Sequence, residues 1–276
     1  MTYRAICTDI DGTLLDSRRE LSPRTIAAFK KLDKSIPVIL ASSRMPSALR
    51  HLQRELGILD HPMICFNGGY VLIYEGNNLA PIVVDTVEIP VAICADILLR
   101  SRQTDIHVSL YVEDLWYAPQ MDQWTEREER ITKVSPTIAE LESLLSGWQE
   151  ANTGAHKVMC MGPENEISAM QEALEKTYGE QLHIYRSKDT YLEIAPRAIS
   201  KASALEMILK DKFDIPMKDV VAFGDNYNDI EMLQAVGLGI AVGNARNEVK
   251  AVANEITLPN KEDGVAVAIE KHFLSK

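Results

Sequence analysis

The sequence predicts an α/β protein whose doubly wound parallel sheet is interrupted by an inserted α+β module. Three observations predict it. Short apolar runs alternate with helical periodicity up to about residue 70. The same alternation resumes after Ser200. Between them the strands cluster, a rhythm foreign to repeated βαβ units. The 276 residues suffice for one large domain or two ordinary ones, with a core that needs no disulfide or zinc.

The elements follow in order. Tyr3–Asp9 reads as a strand, followed by a turn at Asp11–Gly12. Ser22–Leu32 reads as a helix with Ser22 as N-cap and Pro23 at its first position. Pro37–Ala41 and Pro62–Phe66 are further strands, with a helix over Pro46–Leu56 between them. Tyr70–Tyr74 and Pro81–Asp85 flank the polar run Glu75–Gly76–Asn77–Asn78, which suggests a hairpin. Strands follow at Ile106–Val112, Leu115–Ala118, His156–Met161, Leu182–Tyr185 and Tyr191–Ile194, among helices. The last third reads as helix Lys201–Lys210, strand Val220–Phe223, helix Asp229–Ala235, strand Leu238–Val242, helix Asn247–Ala253, short strand Ile256–Leu258 and helix Gly264–Phe273. The expected division is a core of 1–85 and 191–276 around an inserted module of 86–190.

Composition excludes several classes. Hydrophobic residues make up 46% and charged residues 25%, which argues against a disordered chain. Lys and Arg number 29 against 40 Asp and Glu, a formal charge of −11, with no basic run. Nucleic acid is therefore not expected as a partner, and an anionic ligand needs a local cation. No stretch without Asp, Glu, Lys or Arg is longer than His61–Tyr74, which is too short to span a bilayer. Arg4 and Asp9 interrupt what a signal peptide needs apolar, so a cytoplasmic protein is expected. Cys7, Cys65, Cys94 and Cys160 form no CxxC pair and read as core thiols.

Four segments carry chemistry. Asp9-Ile10-Asp11-Gly12-Thr13 follows the first apolar strand, and in extended chain Asp9 and Asp11 share a face. Ligands of open parallel sheets bind beyond the carboxyl ends of strands, where this pair falls. Val220–Gly224 likewise leads into Asp225, Asn228 and Asp229, the last four residues beyond Asp225 and able to share a helical face with it. Two acid clusters at neighbouring strand ends repel by about 4 kcal/mol per pair at 4 Å and an effective dielectric of 20. A hard divalent cation removes the conflict, and all-oxygen ligands suit Mg²⁺. Ser42 and Ser43 end the second strand, where a hydroxyl either caps a helix or donates to a phosphate oxygen. Lys201 opens the helix after the insertion; alone it reads as a solvated charge.

In this order the four segments resemble the motifs of the haloacid dehalogenase-like superfamily. Their spacing resembles its Cof-type class, class IIB, in which a large cap lies between the second and third motifs. Supporting residues include Asp11–Leu15, Ala41–Arg44, Phe66–Gly69, Tyr191–Pro196, Phe223–Leu233, Val242–Ala245 and Asn260–Val265, so the resemblance spans essentially the whole chain. It implies a Rossmann-like core, a specificity-setting cap and a phosphatase for small phosphomonoesters such as sugar phosphates or phosphorylated cofactors. Asp9 would be the nucleophile, forming an aspartyl-phosphate, and Asp11 the general acid/base. Ser42 and Lys201 would hold phosphoryl oxygens. Asp9, the Asp11 carbonyl and Asp225 would bind Mg²⁺, with Asp229 orienting that site and Asn228 supporting the loop or contacting phosphate. Asp9 would stay ionised under Mg²⁺ and Lys201, while Asp11 can hold a proton.

Other readings stand beside these. The same acids permit a phosphomannomutase-like phosphotransferase, and a noncatalytic phosphometabolite-binding protein is a third alternative. Ser42-Ser43 stands where many relatives show Thr-Gly, so Ser43 narrows the loop. Asn67-Gly68 reads as a hairpin turn, and the resemblance also places Asn67 near substrate. Asp263 reads as the cap of the last helix. Tyr111, Trp116 and Tyr117 read as sheet packing. A monomer or small homo-oligomer is expected.

Overall fold

A computed structural model describes residues 3–75 and 80–275. The chain divides into two compact units. The first comprises Met1–Ser43, Leu49–Asp85 and Ser200–Lys276; the second comprises Arg44–Ala48 and Thr86–Ile199.

The first unit is built on an eight-stranded sheet. Its order is Glu255–Ile256, Leu238–Ala241, Val220–Gly224, Ala5–Thr8, Val38–Ala41, Met63–Cys65, Tyr70–Glu75 and Ala80–Thr86. The first six strands of this order run parallel. Ala5–Thr8, Val38–Ala41 and Val220–Gly224 are buried at every position, as strands covered on both faces must be. Ser22 caps the helix Pro23–Lys30 by accepting the Thr25 N–H at 3.0 Å. Met63–Cys65 and Tyr70–Glu75 then pair antiparallel, so Phe66–Gly68 is the turn of a hairpin. Tyr70–Glu75 also neighbours Ala80–Thr86 as expected, though the Gly76–Asn78 part of the expected turn lies outside the described residues.

The second unit has a six-stranded sheet in the order Leu182–Lys188, Tyr191–Pro196, Lys157–Met161, His107–Val112, Leu115–Ala118 and Thr137–Ile138. All its pairings are antiparallel except the last. Tyr191–Pro196 pairs on both sides within this sheet, and so belongs to the second unit although it lies beyond residue 190. Ile93, Ile97, Leu110, Leu145, Val158, Leu174 and Ile194 belong to its apolar core. Tyr111 and Trp116 stack at 5.8 Å between ring centroids, both buried, in keeping with a packing role.

Three local expectations change. The Asp229 helix begins with a short 3-10 turn, Tyr227–Asp229, and only then runs as Ile230–Ala235. The last short strand is Glu255–Ile256. Asp263 does not cap the Gly264–Ile269 helix with its side chain. Its φ of 62° puts it in the left-handed region instead of the extended conformation typical of a capping residue.

Candidate functional site

The site is assembled by the carboxyl ends of neighbouring strands in the first unit. The Asp9 N–H donates to the Phe223 carbonyl at 3.0 Å, extending the ladder one residue past the first strand. The chain then coils through Ile10–Leu14, a wide turn closed by the Leu15 N–H on the Ile10 carbonyl at 3.1 Å. Gly12 makes the turn possible. Its φ is +87°, and a Cβ there would lie 2.5 Å from Asp225 Oδ2. Thr13 Oγ1 donates to Asp225 Oδ1 at 2.8 Å, joining the two acidic segments directly.

Lys201 is fully buried at the start of the helix Lys201–Ile208, whose N-cap is Ser200. Its Nζ donates to Asp9 Oδ1 at 2.5 Å and to Asp229 Oδ1 at 2.7 Å. Asp229 is also fully buried. Its other oxygen accepts the Asp225 and Asn226 N–H groups at 3.0 and 3.1 Å. Asp229 is therefore an anchor that fixes both Lys201 and the loop. Asp9, Asp225 and Asp229 each bring one carboxylate oxygen to within 4.8 Å of the others.

One ammonium bonds both Asp9 and Asp229, with the half-buried Asp225 beside them, and the titration of Asp9, Asp225 and Lys201 reflects it. Burial pushes Asp9 well above the ordinary carboxylate value; Lys201 opposes this, and Asp229 and Asp225 add to it. Burial likewise raises Asp225 to about 6, against the Thr13 hydrogen bond, with Asp229 raising it further. For Lys201, burial favours loss of the proton, but the attraction of Asp229 and Asp9 wins and holds it above the ordinary amine value.

The remaining expected residues follow the Val38–Ala41 and Met63–Cys65 strands or lie in the Asp225 loop, and Ser42 is buried. The Ser42 N–H donates to the Ile64 carbonyl, and the Ser42 carbonyl accepts the Asn67 N–H, both at 2.9 Å. Ser43 follows, half-buried. Asn67 sits in a left-handed turn, and its Oδ1 accepts from Asn228 Nδ2 at 3.0 Å. A Cβ on Gly68 would lie 2.7 Å from the Ser200 carbonyl, so this turn also touches the start of the Lys201 helix. Asn67 is both a hairpin turn and a neighbour of the acidic loop. The Asp11 carboxylate is outside the acid cluster; it is half-exposed and faces Arg19 Nη1 at 3.6 Å.

Some supporting residues carry little sequence signal. Asn244 Nδ2 donates to the Gly12 carbonyl, Asn244 Oδ1 accepts the Asn260 N–H, and Asn260 Nδ2 donates to the Leu15 carbonyl, each at 2.8 Å. These asparagines clamp the Asp9–Leu15 segment from far along the chain. A Gly-Asn pair after a strand reads either as a plain turn or as a backbone role near the site.

The donor set fits a hard divalent cation. It is all oxygen and short of positive charge, and the Asp229 oxygens are committed to Lys201 and the loop, leaving Asp9 and Asp225 to face an ion. Among the described residues no helix is long and apolar enough to cross a membrane.

Comparison with known proteins adds the following. Residues 6–269 match the model of a haloacid dehalogenase-like hydrolase family. The chain is 30% identical to the pyridoxal phosphate phosphatase YbhA of Escherichia coli, covering 99% of this chain and 100% of that one. It is 28% identical to an HMP-PP phosphatase of Yersinia enterocolitica, over 99% and 96%. Among solved structures, a haloacid dehalogenase-like hydrolase from Bacteroides thetaiotaomicron superposes with a TM-score of 0.86 at 26% identity, over 99% and 100% of the two chains.

Proposed function

The chain belongs to the haloacid dehalogenase-like hydrolases of the Cof type and is a phosphatase of that family, and from this premise we propose that it hydrolyses small phosphomonoesters with Mg²⁺ through an aspartyl-phosphate on Asp9. The observation that carries the proposal is the buried Asp9–Lys201–Asp229 chain with Asp225 beside it.

In the first step an Asp9 carboxylate oxygen attacks phosphorus, the bond to the leaving oxygen breaks, and Asp11 gives that oxygen its proton. In the second, a water oxygen attacks the same phosphorus and passes a proton to Asp11. The bond to Asp9 then breaks, which restores its carboxylate and releases inorganic phosphate. Lys201 and the Ser42 hydroxyl hold the phosphoryl oxygens, whose charge is the main thing to be stabilised. Asp9, the Asp11 carbonyl and Asp225 would hold Mg²⁺. When bound, the ion neutralises phosphoryl charge and favours the ionised form of Asp9. Asp229 keeps Lys201 and the Asp225 loop in place. Asn67 and Asn228 hold the rim, and Ser43 shapes the loop after Ser42.

The second unit, essentially residues 86–199, acts as the cap that selects the leaving group, and the first unit carries the chemistry. Phosphorylated cofactors and sugar phosphates are the proposed substrates; the name of the Escherichia relative, a pyridoxal phosphate phosphatase, favours the cofactor class.

The test is phosphate release from pyridoxal 5′-phosphate, a hexose phosphate and an aryl phosphate, with Mg²⁺ and with chelator. The expected outcome is metal-dependent release that Asp9→Asn lowers by at least about 10³-fold, as removing a catalytic nucleophile does. The melting temperature should stay within a few degrees, because Lys201 keeps Asp229. A variant with normal turnover would remove Asp9 as the nucleophile.

A further inference from the structure

One arginine outside the acid cluster holds three consecutive residues of the acidic loop. The Arg246 N–H donates to the Asp225 carbonyl at 3.0 Å. Its Nε donates to Asn226 Oδ1 at 2.8 Å. Its guanidinium lies over the Tyr227 ring, 4.7 Å from the centroid. Asn226 Oδ1 also accepts the Tyr227 N–H at 2.9 Å, so one amide oxygen ties the loop to itself and to Arg246. The Tyr227 hydroxyl donates to Glu248 Oε1 at 3.2 Å. Tyr227 is 52% exposed, so its ring adds little to the core.

The clasp answers a specific problem. Asp225 stands beside two other buried carboxylates with a single ammonium among them. Like charge crowded at this point works against the position of the Asp225 carboxylate. Asp229 holds the loop from inside through two N–H groups, and Arg246 holds it from outside. A loop pinned on both sides presents its carboxylate without reorganising, and residues that orient a metal ligand are typically worth about 10- to 100-fold in metal affinity.

We propose that Arg246 is a positioning residue for the divalent-cation site, holding Asp225–Asn226–Tyr227 in the cation-binding arrangement before the ion enters. The inference rests on the cation reading of the acid cluster given above. It needs an arginine, because a planar guanidinium both stacks on an aromatic ring and donates sideways from Nε.

The test is calorimetric titration of the full chain with Mg²⁺, and with Mn²⁺ as a second probe, for wild type, Arg246→Ala and Arg246→Lys. Arg102→Ala serves as the control for loss of one positive charge, since Arg102 is an exposed residue of the second unit. Arg246→Ala is expected to weaken Mg²⁺ binding about tenfold or more, and to raise the Mg²⁺ concentration for half-maximal phosphate release in parallel. Arg246→Lys should recover only part of the affinity, and Arg102→Ala should match wild type. The metal-free melting temperature, measured alongside, separates positioning from folding. Equal affinities for wild type and Arg246→Ala overturn the proposal, and so does a lowered melting temperature with unchanged affinity. A wild-type chain that binds neither ion refutes the cation reading itself, and the inference falls with it.

Discussion

Each unit buries a chain of polar side chains, and the two chains are built on opposite principles. In the second unit, His107 Nδ1 lies 2.8 Å from Asp122 Oδ2 and Nε2 lies 2.9 Å from Ser109 Oγ. The order serine, histidine, aspartate is that of a hydrolytic triad. Yet Ser109 is fully buried, and its oxygen also accepts the Trp116 indole N–H at 3.0 Å. A carboxylate only accepts, so His107 Nδ1–H donates to Asp122, and Nε2 pairs with the Ser109 hydroxyl. Every group is matched and no substrate reaches the hydroxyl. The first unit's chain, Asp9–Lys201–Asp229 with Asp225, is unmatched, holding more carboxylates than ammoniums. A matched buried network holds a fold together. An unmatched one stores an electrostatic demand that a cation and a phosphoryl group can meet.

The comparison is most sharply tested by removing the one positive partner. Lys201→Met leaves Asp9 and Asp229 buried without their counter-charge, which typically costs about 3–5 kcal/mol. Urea unfolding at neutral pH should show a loss of that size, with phosphate release abolished. The loss should shrink near pH 5, where the raised carboxylates take up protons. A change under about 1 kcal/mol at neutral pH would mean that the acids are solvated and the network is not dry.

Gly12→Ala acts more gently on the same network. The new Cβ falls 2.5 Å from Asp225 Oδ2 at a backbone φ of +87°, so either the turn or the carboxylate must move. A strained non-glycine residue of this kind costs about 1–3 kcal/mol. The expected outcome is a similar drop in unfolding free energy with weaker Mg²⁺ binding. Unchanged Mg²⁺ affinity would show that the close approach of Gly12 to Asp225 has no bearing on the cation.

Much of this site is legible in the residue order because its acids are local. Asp9 and Asp225 each directly follow an apolar parallel strand, and the sheet brings the two strand ends together. Lys201 is another matter. Read alone it is a surface charge, and only the resemblance lifts it; its two carboxylate partners lie 192 and 28 residues away. Thr13, Asn244 and Arg246 act through contacts that no spacing predicts. Asp263 misleads because its residue type suits an N-cap while its left-handed backbone does not. The Thr137–Ile138 strand is too short to show alternation, and it exists because Leu115–Ala118 offers it an edge.

The unmatched network also makes a pH prediction. Folding raises Asp225 from 3.8 to about 6 by burying it. The native state therefore keeps a proton that the unfolded chain loses, so this group's contribution to stability is present below about pH 4 and declines as pH rises through about 6. A cation binds the ionised form, so the two effects oppose each other. The rise in melting temperature caused by Mg²⁺ should be small at pH 5 and larger at pH 7. A rise that is flat across this range would argue that Asp225 binds no cation.

The matched network yields the smallest effect on turnover, and the one that most directly sets the units apart. Ser109→Ala removes the partner of both Trp116 Nε1–H and His107 Nε2 while leaving the sheet's apolar packing intact. A buried donor left unsatisfied costs about 1–3 kcal/mol, so a loss of that size is expected by denaturant unfolding. Phosphate release from an aryl phosphate should stay within about threefold of wild type, because Ser109 is sealed and reaches no substrate. Abolished release from a well-folded Ser109→Ala chain would contradict this, and would give the second unit's serine, histidine and aspartate a part in the chemistry that its burial denies it.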